Sequence, residues 1–259
     1  NAQSCRHKAI DIYDLIIEHD ADVLMLTETW LYENGDEAYI ASMTPAGYDF
    51  HSFPRTSRGG GIAFATKSNL STSLSLRPLD YTSFECVEMR LTKNKTVVTC
   101  VCLYRPPPSK KNKLLNSTFL REFPELLSSY ANASSDVSFV GDFNFHFDDS
   151  SDPQVCRVKT LLSDHGLSQL VTVPTHRHGH TLDWVVVRSD SSLLSVEAVK
   201  DYAGLSDHYL VVCALALGRP PTPTRLVTSR NLKAVDPTVF QADVKVLAGS
   251  TSVLPRVSK

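Results

Sequence analysis

The number and scatter of its short apolar runs restrict what this chain can fold into more than any other feature. Asp22–Leu26, Ile62–Ala65, Phe84–Leu91, Thr96–Tyr104, Val137–Val140, Thr181–Val187 and His208–Leu217 have the length and side-chain content of strands. Helical spacing shows in fewer places. Ala9, Ile12, Tyr13, Ile16 and Ile17 recur on one face, and Ser117–Ala131 and Gln154–His165 follow, the latter closed by Gly166. Pro124 is expected to bend or restart the helix that contains it. Strands outnumber helices and often follow one another directly, which argues against simple strand–helix alternation. The expected fold is α/β (α+β), a four-layer sandwich of two mixed β-sheets flanked by helices.

With 259 residues, 42% of them apolar, the chain can bury one large core. After Gly218 the composition shifts to Arg219-Pro-Pro-Thr-Pro-Thr-Arg225, a proline-spaced linker. Residues 1–218 are therefore expected to form one domain, and 219–259 a linker and tail with one apolar-patterned stretch, Val239–Val246. A net charge of −2 provides no global attraction for nucleic acid, so such a partner must be held by local loops and a metal. The six cysteines lack zinc-site spacing, and free thiols in a reducing compartment are expected. No apolar stretch is long enough to span a bilayer and no leader opens the chain, so no membrane association is expected.

Chemistry concentrates where strands end. Val137–Val140 runs through Gly141 into Asp142, with Asn144 two residues on, and extended alternation would place both on one side. A carboxylate there can orient or deprotonate water while an amide bonds a phosphoryl oxygen; an Asx turn ending the strand is the plain alternative. Ser206-Asp207-His208 precedes another apolar run, and a histidine held as the cation could stabilise phosphoryl charge. Asp183, an acid in an apolar strand, is the candidate to hold it. Glu28, just past a strand, could join Asp207 around a magnesium ion, which needs only one or two carboxylates. Tyr104, before Arg105-Pro-Pro-Pro108, could reach a phosphate with its hydroxyl. Arg55 and Arg58 could touch a nucleic-acid backbone. Gly59–Gly61 is not a phosphate loop, since no Gly-Lys-Ser/Thr follows, and His176, His178 and His180 are read as a flexible loop rather than a metal site.

In order, Asn1, Leu26-Thr-Glu28-Thr-Trp30, Tyr104-Arg-Pro-Pro107, Gly141-Asp142-Phe-Asn144, Thr181-Leu-Asp183-Trp184 and Ser206-Asp207-His208 resemble the endonuclease/exonuclease/phosphatase family. The wording is most similar to the endonuclease domain of LINE-type (non-LTR) retrotransposons. Asn1-Ala-Gln-Ser-Cys-Arg-His-Lys8 resembles their opening segment, and Ser229-Arg-Asn-Leu-Lys233 the connector toward a reverse transcriptase. The resemblance implies magnesium, with manganese able to replace it, held by Glu28 with Asp207 and Asn1. Asp142 would activate water, Asn144 and Tyr104 would hold the scissile phosphate, and His208 paired to Asp183 would stabilise its charge. It implies nicking of DNA to leave a 3′-hydroxyl, in the nucleus or cytoplasm, with a reverse transcriptase segment in the parent polyprotein. It further implies a first core strand ahead of Asn1, without which one sheet has an exposed edge. A family phosphatase or phosphodiesterase acting on a lipid, inositol or nucleotide, and an inactive remnant serving as a binding module, are the alternatives. Gln3 stands where abasic-site repair relatives carry an acid, which argues against that branch.

Overall fold

The Asp22 run becomes a strand, β1 (Val23–Thr27), because Leu24 and Leu26 alternate into an apolar layer while the chain enters from a helix that stops at a left-handed Asp20. The computed structural model describes residues 1–56, 59–70, 72–93, 95–110, 112–202, 204–217 and 236–249. They separate into two units, Asn1–Leu217 and Gly218–Lys259. In the second, the helix Pro237–Gly249 covers the apolar-patterned stretch; the proline-spaced linker and the Ser229–Lys233 segment lie outside the described residues.

In the first unit, β1 pairs antiparallel with β3 (Ile62–Lys67), which pairs with β2 (Tyr48–Phe53). A six-stranded sheet has β4 (Ser73–Leu79), β5 (Glu85–Lys93), β6 (Thr96–Tyr104), β7 (Asp136–Asp142), β9 (Asp183–Arg188) and β8 (Leu167–Gln169) in that order. It is mixed, because β7 runs parallel to β6 after the crossover helix α3 (Asn116–Ser129), while the other pairings are antiparallel. A third, two-stranded ladder joins β10 (Leu194–Lys200) to β11 (Leu210–Leu215).

The cores show the layers. Helices α1 (Ala9–His19) and α2 (Glu37–Met43) cover β1 and β3 through Ile12, Ile16, Met43 and Ala65. Ile62 and Phe64 pack between the sheets against Met89, Cys100 and Cys102. Helices α3 and α4 (Pro153–Asp164) cover the far face through Phe119, Phe123, Val155 and Val158. Sequence and structure differ in α1 and in α3. The buried face of α1 uses Leu15 in place of Tyr13 and Ile17, which are exposed. Helix α3 runs across Pro124 as one element, since Phe119, Phe123, Leu126 and Leu127 bury a face on both sides of the missing amide.

The sandwich is open at one seam. Among the described residues β1 pairs only with β3 and β11 only with β10, and the edges of β1 and β11 line one cavity of about 620 Å³ with Ile12, Leu15 and Val140.

Helix α3 is also fixed to the β4–β5 turn by one carboxylate. Glu122 accepts from the amides of Thr82 and Ser83 at 3.2 and 2.9 Å and from both hydroxyls. Glu122→Ala would leave buried donors without an acceptor, so urea denaturation is expected to show a loss of about 2–3 kcal/mol. Burial alone would raise this carboxyl's pKa, but the four bonds hold it below the ordinary value. Its contribution is thus complete above the ordinary carboxylate range and lost as pH falls through the depressed value, and the variant's stability should depend less on acid.

Candidate active site

The site begins at Gly141, whose φ of +131° and position against β6 admit no side chain, since a Cβ would lie 2.0 Å from the carbonyl oxygen of Leu103. That close approach carries Asp142, fully buried, to the end of β7, where it faces Asp183 across the β7–β9 ladder. Asn144 reaches Asp142 by a turn rather than by strand alternation. With φ at +50° it folds back, its amide N–H donating to Asp142 Oδ1 at 2.9 Å and its Nδ2 to Oδ2 at 2.9 Å. The other Nδ2 hydrogen goes to the Arg105 carbonyl at 2.8 Å, so Asn144 holds Asp142 in place and has no amide hydrogen left for a phosphate. Asn1 Nδ2 donates to the same Oδ2 at 2.7 Å.

Asp183 meets His208. The imidazole Nδ1 lies 2.8 Å from Asp183 Oδ2, and its Nε2 lies 4.0 Å from Asp142 Oδ2. Burial alone would lower the His208 pKa, but the bond to Asp183 and the charges of Asp183 and Asp142 raise it. Asp142 moves the opposite way from a usual carboxylate, pushed up to about 7 by burial first and by Asp183 second. Burial alone would raise the Asp183 pKa, but the bond to His208 and the positive charges around it together hold it below the ordinary value. These two carboxylates of like type thus divide into one held near neutrality and one held ionised beside the imidazole.

Asp207 sits beside them. Its Oδ2 is 3.3 Å from His176 Nε2 and 3.4 Å from Arg177 Nη2, while its Oδ1 is buried, takes no hydrogen bond and lies 4.0 Å from His208 Nε2. Among the described residues, two groups of three bring metal-capable atoms within 4.8 Å of one another: Asp142 with Asp183 and His208, and His176 with Asp207 and His208. The orphaned carboxylate oxygen of Asp207 suits a hard divalent cation. Glu28 belongs to neither group. It ends β1 with φ at +51° and accepts the Tyr104 hydroxyl hydrogen, whose pKa burial and Glu28 raise further. That bond uses the one hydrogen Tyr104 could have given a phosphate. The metal-capable oxygen of Asn1 accepts from the Gln3 amide at 3.0 Å. Arg55 faces Glu85 at 3.4 Å, and Arg58 lies outside the described residues.

Three residues without a sequence-assigned role support this centre. Arg105 is buried, donates to the Phe143 and Asn144 carbonyls at 3.0 and 3.1 Å and to Asn116, and stacks 3.9 Å over Phe145. Desolvation lowers its pKa to about 10, which leaves it a cation. Thr175 Oγ1 accepts from the Leu182 and Asp183 amides, both at 3.0 Å. His176 belongs to a closed turn rather than a flexible loop, its amide and that of Thr175 both donating to the His180 carbonyl. His180 instead pairs with Asp148 at 3.1 Å, so the three alternate histidines do not converge.

A buried carboxylate faces a carboxylate-held imidazole at the end of the sandwich, an arrangement suited to phosphoester hydrolysis. The chain belongs to the endonuclease/exonuclease/phosphatase family, whose model matches residues 1–208. Solved structures repeat the fold. An AP endonuclease from Leishmania major matches at 16% identity and TM-score 0.61, covering 81% of this chain and 84% of its own. An AP endonuclease from Archaeoglobus fulgidus matches at 14% and 0.58, covering 84% and 97%. A mannosyl-6-phosphatase from Bacteroides thetaiotaomicron matches at 13% and 0.58, covering 82% and 92%. No curated protein matches the sequence.

Proposed function

We propose that this chain is a magnesium-dependent DNA endonuclease, of the kind that opens a target strand for a LINE-type reverse transcriptase. The observation that carries the hydrolytic part is the buried Asp142, raised to about 7 and 4.0 Å from an imidazole that Asp183 holds as the cation. Asp142 takes the proton of the attacking water, and the water oxygen bonds to phosphorus in line with the 3′ oxygen. The bond to that oxygen breaks, and the leaving 3′ oxygen takes a proton from solvent water, giving a 3′-hydroxyl and a 5′-phosphate. His208 Nε2–H faces the phosphoryl oxygens as their charge grows, and Asn144 and Asn1 keep the Asp142 carboxylate in register. Bound magnesium would supply positive charge at the phosphate, and Asp207, with one carboxylate oxygen free of hydrogen bonds, and Glu28, just past the end of β1, would hold it.

DNA as the substrate and a reverse transcriptase as the parent-chain partner rest on the resemblance of Asn1–Lys8 and Ser229–Lys233 to the LINE-type segments. No described helix is long and apolar enough to cross a membrane, and the proposed place of action is the nucleus or cytoplasm. Supercoiled plasmid tests the reading. The wild-type chain with magnesium should convert it to the nicked circle with ligatable ends, and EDTA should stop it. Turnover of a phosphorylated sugar, inositol or nucleotide in preference to plasmid would overturn the DNA assignment and leave a phosphatase. Nicking that His208→Ala leaves unchanged would overturn the site.

A further inference from the structure

We infer that His176 is the positioning residue that turns Asp207 toward the metal. The inference rests on the metal reading above. The His176 ring is fixed on both sides. Its Nδ1 accepts from the His178 amide at 3.3 Å, so the proton of the neutral ring sits on Nε2. The Nε2 side of the ring lies 3.3 Å from Asp207 Oδ2. The other lone pairs of Asp207 are thereby directed elsewhere: Oδ1 is left buried, without a hydrogen bond, on the side of His208.

The backbone is arranged to the same end. Residues 175–177 run antiparallel to 207–209, with Tyr209 donating to the Thr175 carbonyl at 2.7 Å, Arg177 to the Asp207 carbonyl at 2.9 Å, and His176 bridged to His208. The turn closes behind the ring through Gly179, whose φ of +82° and bond to the His176 carbonyl at 2.9 Å set its path. His176 therefore meets Asp207 from a rigid support, and its ring stands edge-on to His208 at 4.9 Å. Arg177 Nη2 donates to the same Asp207 Oδ2 at 3.4 Å, but from a side chain that is 63% exposed, where solvent weakens the pair. A fixed donor behind a ligating carboxylate typically accounts for a ten- to hundredfold difference in metal affinity.

Mn²⁺ is the probe, with binding followed by loss of the free-ion EPR signal and without turnover. His176→Ala is expected to weaken Mn²⁺ binding by roughly tenfold or more. His176→Gln, whose amide can donate at a similar reach, should recover part of that loss, and Arg177→Ala should stay within about twofold. Nicking at saturating metal should fall far less than at limiting metal, which a general loss of folding would not produce. His176→Ala and His176→Gln both binding within about twofold of wild type would overturn the proposal and leave the metal reading intact. Wild-type chain that takes up no Mn²⁺ would overturn both.

Discussion

Asp142→Asn is expected to lower magnesium-dependent nicking by about three to four orders of magnitude, the upper range for loss of a general base. The replacement keeps volume and shape, and an amide oxygen can still accept from the Asn144 N–H. It cannot take a proton from water, and its NH₂ would face the donors of Asn1 and Asn144. The pH profile separates these effects. The base acts only when deprotonated, and burial with the Asp183 charge holds its pKa at about 7, so wild-type activity should fall as pH drops below about 7. Residual activity of the variant should lack that acid limb. Circular dichroism melts would show whether the fold persists. A variant that nicks within tenfold of wild type at pH 8 would remove Asp142 from the base role.

Much of this was legible because physical demands coincided in single residues. An acid inside Thr181–Val187 needs a buried partner, and His208 is that partner at 2.8 Å. The strands that read clearly were apolar on both faces, as in β3, β6 and β9. Strands β2, β4, β8 and β10 escaped notice: β4 and β10 are edge-like and half-exposed, alternating Leu with Ser in one and Val with Glu in the other, Pro78 weakened β4 further, and β8 is only three residues long. The region of Asn144 was read to the right place by the wrong route, because a left-handed turn and strand alternation both return a side chain to Asp142. Arg105 and Thr175 act through the tertiary positions of other segments, Arg105 on residues 38 and 39 away in sequence, and no local pattern marks such a role.

Asp183→Asn is expected to reduce nicking by about a thousandfold through His208 alone. Asp183 touches neither water nor phosphate in the proposed reaction; it accepts from His208 Nδ1 and is itself held by the Thr175-bound amide. Two effects follow from its charge. The carboxylate fixes which ring nitrogen faces Asp142 and the phosphate, and it keeps the imidazole cationic against the opposing effect of burial. Removing the charge lowers the His208 pKa, so the active cation disappears at a lower pH and the alkaline limb should move toward neutrality. Since both residues serve one function, the losses should not add. His208→Ala should itself cost about a thousandfold, and Asp183→Asn placed on that background should change the rate by less than about fivefold. Multiplicative losses in the double variant would mean that Asp183 acts on the substrate or the metal directly. The group of Asp142, Asp183 and His208 would then have to be regarded as a second cation site rather than as a base and its charge partner.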